Sequence, residues 1–492
     1  MDEKKFTYER HKPEETILYK IIHENMKRFF DTASSEPDRK PLPDFVRREF
    51  ETFLSCGILS EGFVRVKCAD CKEEMIVGFS CKLRGFCPTC GARRMLERSF
   101  NLCDFVIPHV PVRQWVLSLP FQLRYWMAFD HELLVRIGHI IVNAITFYLR
   151  KKGRKLGVKD AESGIISFLQ RAGSALNLNL HFHLISIDGL YSTDEMGDPI
   201  FHRIPSITDE EAAAVIERIA KKIIKHLRKI GKLPEDGEEI FISEENSVLS
   251  HIRGASITHR IALGERSGYK VRRIGGSFGY EGEKPRLSGY ATASVNGFSL
   301  HAATSIKAHE RDKLSALLRY VGRGSVSNER ISLAENGDIL YELKNSYDGA
   351  SHILLSPLEF MEKLSSLVPP PKKHLVKYYG CLSSHSALRP LIVPNGASKD
   401  EKEETSSKKE EKVTEKKSNY ISWQELLRRT FEIDLTICEK CGGRLRVIAA
   451  IMKKEIAEKI LDHLGLLPTT APPPSFKTTT YINELFPIFG DM

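Results

Sequence analysis

One short segment, NLNLHFHLISI at residues 177–187, limits what this chain can fold into. Its apolar residues occupy alternate positions: Leu178, Leu180, Phe182 and Leu184. Because successive side chains of a strand point to opposite faces, these residues share one face of a predicted β-strand. His181 and His183 then lie on the other face. The segment predicts a strand with an apolar face against a core and a polar face that carries two imidazoles.

Helical and strand-like patterns are mixed along the rest of the chain. Apolar residues at helical spacing predict helices within 14–55, 96–152, 209–232 and 310–320. A second strand region is predicted at 289–303, where Asn296–Gly297 marks a hairpin turn, and another hairpin surrounds ENGDILYELK. This mixture predicts an α+β fold with an antiparallel sheet.

Two CxxC pairs near the amino terminus predict a metal site. Cys68 and Cys71 are followed after 15 residues by Cys87 and Cys90, a spacing that suits a tetrathiolate zinc site. Cys81 lies between the pairs as a spare thiol, so which four of these five cysteines bind the metal stays open. Four arginines beside the site suggest contacts with DNA: Arg84, Arg93, Arg94 and Arg98.

A third pair, Cys438 and Cys441, has no second pair after it. Three interpretations stay open for this pair: it is a remnant, it shares a metal with a distant Cys or His, or it binds nothing. The pair lies in a predicted C-terminal module, residues 420–492. Residues 395–419 before it carry almost no apolar side chains and predict a disordered charged linker. Residues 1–95 are the predicted helical and zinc-binding domain, and residues 96–394 the predicted central domain.

The charge of the chain favours a polyanionic partner. The net charge is +9 and the isoelectric point is near 8.9, and the linker contributes nothing because its charges cancel. No apolar run is long enough for a membrane span and the first residues are polar, so a cytoplasmic location without membrane attachment is expected.

The two histidines and one tyrosine are the candidate catalytic groups. Imidazoles at His181 and His183 suit a divalent cation that takes a third ligand from elsewhere. In RDKLSALLRYVGRG, residues 311–324, the leucines and Val321 form an apolar helical stripe, and Tyr320 falls outside it towards Lys313. A tyrosine on the edge of a basic helix face is placed for phosphate chemistry.

Together these segments resemble the HUH (His–hydrophobic–His) transposases of rolling-circle insertion sequences, in the ISCR-like group. The likeness covers nearly the whole chain. It rests on FSCKLRGFCPTCGARRM, VPVRQWVLSLPFQLRYWMAFD, GSALNLNLHFHLISIDGLY, GFSLHAATSIKAHERDKLSALLRYVGRG and FEIDLTICEKCGGRLRVIAAI.

The resemblance implies an antiparallel-sheet HUH nuclease core and assigns roles to single residues. His181 and His183 become ligands of Mg²⁺ or Mn²⁺, and Tyr320 becomes the nucleophile. Position 316 is Ala, which implies a single-tyrosine enzyme. The preferred third ligand is His301, with Gln170 as its rival.

The implied activity is transposition: nicking and rejoining of single-stranded DNA at element ends through a 5′-phosphotyrosine, in the cytoplasm of a bacterium or archaeon near the nucleoid. No phosphate-binding P-loop is present in the sequence, and the scheme needs no ATP. Two alternatives come from other classes of protein. One is a catalytically inactive zinc-ribbon DNA-binding protein, and the other is a metallohydrolase that acts on small molecules.

Overall fold

The structure is a computed structural model that describes residues 12–36, 38–233, 246–274, 289–347, 350–394, 437–438 and 440–466. The predicted linker, 395–419, lies outside the described residues. Within them the helices are α1 Ile17–Ser34, α2 Asp44–Leu54, α3 Pro88–Phe105, α4 Phe121–Phe129, α5 His131–Lys155, α6 Asp209–Lys229, α7 Val248–Ile257, α8 Arg311–Gly322, α9 Pro357–Leu367, α10 Arg389–Ile392 and α11 Lys454–His463.

The strands fall into four sheets within the described residues. They are β1 Phe63–Cys68, β2 Glu74–Gly78, β3 Val112–Ser118, β4 Gly164–Ala172, β5 Leu178–Ile187, β6 Gly189–Thr193, β7 Pro199–Arg203, β8 Arg272–Ile274, β9 Thr292–Val295, β10 Phe298–His301, β11 Ser305–Ile306, β12 Ile331–Leu333, β13 Ile339–Tyr347, β14 Ala350–Leu355, β15 Val376–Gly380 and β16 Leu445–Ile451.

The largest sheet is antiparallel and has the order β15-β4-β5-β3-β10-β9, with β11 also paired to β3. The predicted strand is β5, and it lies between β3 and β4. Mixed helices around an antiparallel sheet confirm the α+β class. A strand in this position has neighbours on both sides, so its register and the direction of each side chain are firmly fixed.

The two faces of β5 meet different partners. Leu178, Leu180, Phe182 and Leu184 belong to the main core with residues of α5. Ile185 and Ile187 point the other way, into a second core with Leu314, Leu318 and Val321 of α8. His181 and His183 share that second face by strand periodicity. The alternation expected from the sequence is confirmed.

Helix α5 is long and largely apolar. It is the one described helix that is long and apolar enough to cross a membrane, and 56% of its most apolar window is buried in the structure. Ile137, Ile141 and Ile145 pack in the main core. Its apolar character is that of a helix packed on a sheet.

The predicted turn at Asn296–Gly297 is also confirmed, since it joins β9 to β10. Asn296 has φ 48° and Gly297 has φ 75°, the left-handed values that a two-residue hairpin of type I′ requires. The second hairpin, β12 to β13, surrounds Asn336 and Gly337 as expected.

The amino-terminal and carboxyl-terminal parts of the described chain share a small sheet of order β16-β1-β2. Strand β16 therefore lies beside a strand that precedes it by almost four hundred residues. A separate small core joins Leu59 and Phe63 to Ala457 and Leu461 of α11. The described part of the predicted C-terminal module is thus built onto the amino-terminal region.

Candidate active site and cysteine clusters

The two histidines of β5 form the centre of the candidate active site. Their ring centroids lie 5.1 Å apart. His183 is buried, with 4% of its surface exposed, while His181 is half-buried. The rings lie on the sheet face that α3 and α8 cover, so the pair is reached from the edge of that helical layer.

Hydrogen bonds limit which nitrogen of each ring is free. The Nδ1 atom of His181 lies 2.8 Å from the carbonyl oxygen of Asn179. A carbonyl only accepts, so Nδ1 carries the proton and Nε2 keeps its lone pair. The Nδ1 atom of His183 lies 2.9 Å from the side-chain amide of Gln114. The atom of Gln114 that lies there is the amide nitrogen Nε2, which donates, so Nδ1 of His183 accepts and the proton of the neutral ring lies on its Nε2.

Both imidazoles are disposed to stay neutral. Burial lowers the pKa of His181. Burial, with the neighbouring His181 and Arg323, lowers the pKa of His183 to about 3. A neutral imidazole is the form that binds a cation. Nearby positive side chains, Lys344 among them, contribute to the lowering of both pKa values.

Tyr320 of α8 stands next to this pair. Its ring centroid lies 6.1 Å from that of His183, with the planes at 71°. Half of its surface is exposed, at 50%, whereas Leu314, Leu318 and Val321 of the same helix are buried. The predicted position of Tyr320 outside the apolar stripe is therefore confirmed. Its hydroxyl is accessible to a large substrate.

Two glutamines on the same sheet face contact the centre. Gln114 of β3 is the partner of His183 described above. Gln170 of β4 is directly opposite His181 in the strand register, and its amide donates to the carbonyl oxygen of Val321 over 2.8 Å. That bond connects the strand beside the His pair to the helix that carries Tyr320.

The structure does not bring His301 to the pair. His301 is exposed and lies on β10, opposite Val116 of β3, which in turn is opposite His183. Two strand spacings, about 10 Å, separate the backbones of the two histidines. Among the described residues, His301 forms no metal-binding group with His181 and His183.

The positive charges of three side chains act on the His pair: Arg124, Arg323 and Lys344. The guanidinium of Arg323 lies over the Tyr320 ring, 4.5 Å from its centroid. Partial desolvation, with Arg323 and Arg330 nearby, lowers the pKa of Lys344 to about 8. Positively charged side chains this close together repel one another. An anion such as a phosphate that binds among them is attracted to all of them and offsets this repulsion.

The cysteines form two separate groups. The first, the inner cluster, consists of Cys56, Cys81, Cys87 and Cys90, all of them buried. Its Sγ atoms approach to 3.3 Å between Cys81 and Cys90 and to 3.7 Å between Cys56 and Cys90. Zinc–sulfur bonds of about 2.3 Å at tetrahedral angles place sulfurs about 3.8 Å apart, which this cluster approaches.

Helix α3 begins at the inner cluster. Cys87 is its N-cap residue and Cys90 lies in its first turn, where the helix dipole stabilises thiolates. The backbone N–H of Cys81 donates to the Sγ atom of Cys56 over 3.3 Å. An all-thiolate donor set with such a bond fits a structural zinc ion.

The second group, the bridging cluster, consists of Cys68, Cys71, Cys438 and Cys441. The Sγ atoms of Cys68 and Cys441 lie 3.5 Å apart, as do those of Cys71 and Cys438. Cys68 and Cys438 are buried, whereas Cys441 is exposed. This cluster joins residues from the two halves of the sequence.

Comparison with known protein families decides the identity. Residues 164–389 match the transposase family Y2_Tnp, and residues 21–119 match the IS91 transposase zinc-binding domain. The chain belongs to the IS91 family of transposases. No curated protein and no solved structure matches it. An IS91-family transposase is an enzyme that acts on DNA, and its zinc-binding domain together with the cysteine clusters supports structural zinc.

The grouping of cysteines expected from the sequence of this transposase is wrong. Cys68, Cys71, Cys87 and Cys90 do not meet at one site. Cys87 and Cys90 join Cys56 and Cys81, while Cys68 and Cys71 join the distant pair. The physical reason is that β1 carries Cys68 into the small sheet with β16, away from the start of α3.

Sequence reasoning missed Cys56 and noticed Cys81 without using it. Neither belongs to a CxxC pair, so spacing alone does not associate them. The number of thiols gives no signal either, because four cysteines lie outside the three CxxC pairs and the sequence does not show which two complete the sets of four: Cys56, Cys81, Cys103 and Cys381. Of the three interpretations of Cys438 and Cys441, sharing a site with distant cysteines is the one that the geometry fits.

Three of the four arginines expected to contact DNA also form bonds within the transposase. Arg84 donates to the carbonyl oxygens of Lys373 and Pro370, and Arg94 to those of Lys82 and Leu83. Arg93 forms an ion pair with Glu97 at 2.8 Å. These side chains fix the loops around the inner cluster.

Two adjacent tyrosines of β15 are likewise packed. Tyr378 packs against the second core and Tyr379 against the main core, on opposite faces of β15. Tyr320, by contrast, is an exposed aromatic side chain beside the His pair.

Proposed function

We propose that this transposase nicks and rejoins single-stranded DNA by the HUH mechanism, with Tyr320 as nucleophile and a divalent cation at His181 and His183. The observation that carries the proposal is the position of the Tyr320 ring, 6.1 Å from the His183 ring and half exposed. The tyrosine and the histidines are far apart in sequence. Only the folded chain therefore brings them together on one sheet face.

The residues of the pair fit a cation. Nε2 of His181 is free because Nδ1 donates to Asn179. The side-chain Oδ1 atom of Asn179 is buried with no hydrogen-bond partner among the described residues. Such an unpaired oxygen beside two imidazoles suits Mg²⁺ or Mn²⁺. When bound there, the cation would withdraw charge from the scissile phosphate and orient it.

The remaining chemistry belongs to the chain itself. The Tyr320 oxygen attacks the phosphorus in line, so that a bond from this oxygen to phosphorus forms while the bond to the 3′ oxygen breaks. The phenol loses its proton and the departing 3′ oxygen gains one. The product is a 5′-phosphotyrosine. A second 3′ hydroxyl reverses the step and joins two strands without a further energy source.

The basic side chains around the pair would bind the phosphate backbone. Arg323 lies over the Tyr320 ring, and Lys344 and Arg124 influence the His pair. Contacts of this kind position a nucleic acid without reading its sequence. Single-stranded element ends remain the proposed substrate because the resemblance to rolling-circle transposases implies them.

For the third ligand, the geometry favours Gln170 over His301. Gln170 is opposite His181, and its amide nitrogen already donates to Val321, which leaves its oxygen free for a cation. His301 lies two strands from His183. We assign Gln114 a positioning role, because it orients the His183 ring.

The test is a search for a covalent protein–DNA adduct. Wild-type protein incubated with single-stranded element ends and Mn²⁺ should form a denaturation-resistant adduct on the 5′ side of the break. Tyr320→Phe keeps the ring and removes only the oxygen, so it should form no adduct and bind DNA and Mn²⁺ normally.

Tyr341→Phe is the matched control. Tyr341 is fully buried and burial raises its pKa to about 12, so its hydroxyl is unsuited to attack DNA. This variant should retain the adduct. An adduct formed by Tyr320→Phe would show that another residue is the nucleophile. No adduct in the wild type would favour the inactive DNA-binding alternative.

A further inference from the structure

The bridging cluster lies only half within the matched family regions. Cys68 and Cys71 fall inside residues 21–119, but Cys438 and Cys441 follow both matches. Nothing in the family assignment therefore predicts that these four residues form one site. The site is visible only because β16 pairs with β1, with Cys68 opposite Leu445.

The two CxxC turns that form the cluster have the same build. The N–H of Cys68 donates to the carbonyl oxygen of Glu73 over 2.8 Å, and the N–H of Cys438 to that of Gly443 over 2.7 Å. The residue after the second cysteine is left-handed in both turns, with φ 64° at Lys72 and φ 75° at Gly442. Two such turns facing each other are the construction of a zinc ribbon.

Close contacts between the turns hold them in this arrangement. The N–H of Ala69 donates to the carbonyl oxygen of Arg444 over 2.9 Å. A Cβ atom at Gly443 would lie 2.2 Å from Oδ2 of Asp70 and 3.0 Å from its Cβ, so the two turns approach each other closely there. Lys440 pairs with Glu73 at 2.8 Å. The described residues of the two CxxC turns, 68–71, 438 and 440–441, are thus brought to one place.

We propose that Cys68, Cys71, Cys438 and Cys441 bind a second zinc ion, which fastens residues 437–466 to β1 and joins the two ends of the described chain. Four thiolates with opposed sulfurs 3.5 Å apart are a donor set that selects zinc. This proposal does not rest on the DNA chemistry proposed above.

The contacts that surround the cluster show what a metal would add. The shared core contains only four buried side chains, Leu59, Phe63, Ala457 and Leu461. The ion pairs at Lys440 and Lys454 are on the surface, where such pairs contribute little. Besides this core, the attachment rests on the pairing of β16 with β1 and on three half-buried isoleucines. Because the attachment closes a loop of more than 360 residues, a bound metal would strengthen it.

The first test counts zinc in full-length protein that carries His181→Ala and His183→Ala, so that the active site contributes none. We expect two zinc ions per chain. Cys438→Ser with Cys441→Ser should leave one, Cys68→Ser with Cys71→Ser should leave one, and all four changes together should still leave one. Cys103→Ser with Cys381→Ser, at two buried cysteines outside both clusters, should leave two.

The counts separate the competing arrangements. If the quadruple variant binds no zinc, the four residues do not form one independent site. Two ions retained after Cys438→Ser with Cys441→Ser would overturn the proposal, as would a single ion in the parent protein. The proposal would also be overturned if these four cysteines were found in disulfide bonds in place of the second zinc ion.

The second test asks whether zinc attaches the C-terminal segment to the rest of the protein. A specific protease site inserted between residues 398 and 418 allows the chain to be cut once. With zinc present, the C-terminal fragment should co-elute with the rest of the protein during gel filtration. It should separate after chelation, or in the Cys438→Ser, Cys441→Ser variant. Fragments that stay together without the metal would contradict a zinc-dependent attachment.

Discussion

The cysteine clusters and the His–Tyr centre both gather metal-binding side chains, but they are built by different means. In the inner cluster all four ligands are buried and their own metal would organise the loops that carry them. In the His–Tyr centre a six-stranded path of sheet holds the proposed ligands, and the proposed nucleophile, Tyr320, is half exposed. The clusters should therefore govern folding, whereas the centre should govern chemistry.

The two regions are nevertheless in contact. Helix α3 begins at Cys87 and packs along α8, where Ser99 donates to the carbonyl oxygen of Ser315 over 3.0 Å. Ser325, in the loop after Tyr320, donates to the carbonyl oxygen of Gly85 over 3.0 Å. The inner cluster thus helps to hold the helix that carries Tyr320, the proposed nucleophile. A change at the cluster should reach the active site, but the reverse should not hold.

The largest expected effect is that of Cys87→Ser. Structural zinc contributes about 10 kcal/mol or more to folding in small zinc domains, so losing one ligand should destabilise the amino-terminal region by several kcal/mol. Thermal unfolding followed with zinc analysis should show early melting and the loss of one ion, together with reduced nicking.

Cys103→Ser is its control, since Cys103 is buried but belongs to neither cluster. It should cost only about 1 kcal/mol. Equal destabilisation by the two serine variants would show that the inner cluster behaves as ordinary core and would remove the contrast between the regions.

A smaller effect on stability and a large one on chemistry are expected for His181→Ala. The ring is half-buried and its removal should cost about 1 kcal/mol of folding free energy. Without the ligand, nicking should fall by about 100-fold or more, equivalent to about 3 kcal/mol of transition-state stabilisation. DNA affinity should stay nearly constant, because basic groups that contact phosphates provide most of it.

Gel-shift assays measure the DNA affinity of His181→Ala, and nicking assays on the same preparation measure its activity. Unfolding curves measure its free energy of unfolding. His139→Ala is a suitable companion variant, as His139 is exposed on α5 and contacts Tyr379 instead of the centre. If His181→Ala unfolded the protein as Cys87→Ser should, the centre would be structural and the distinction would fail.

The smallest expected effect concerns the third ligand of the proposed cation. Gln170→Leu should weaken Mn²⁺ binding about 10- to 100-fold, and His301→Ala should leave it unchanged. Titration of each variant with Mn²⁺ in the absence of DNA measures this directly. The opposite result, with His301→Ala weakened and Gln170→Leu unaffected, would restore the ligand set first expected from the sequence and require β10 to approach β5.

Local patterns predicted much of the fold and the main parts of the centre. Strict alternation identified β5 and the face of its histidines, and helical periodicity placed Tyr320 outside the buried stripe of α8. Asn296–Gly297 identified a hairpin because few residue pairs accept two left-handed conformations in succession. These features depend on neighbours in sequence, so the sequence contains enough to predict them.

What the sequence determined by itself is the chemistry available: thiols in CxxC turns, two imidazoles on one strand face, and a tyrosine on a helix edge. Only the tertiary structure decided which of them meet. Strand pairing between β1 and β16 took Cys68 and Cys71 away from Cys87 and Cys90, and strand order separated His301 from His183 while placing Gln170 opposite His181. The reason is that a CxxC turn supplies only two of four ligands and a strand only part of a site. The remaining ligands come from segments whose proximity is set by sheet order, which no local spacing encodes.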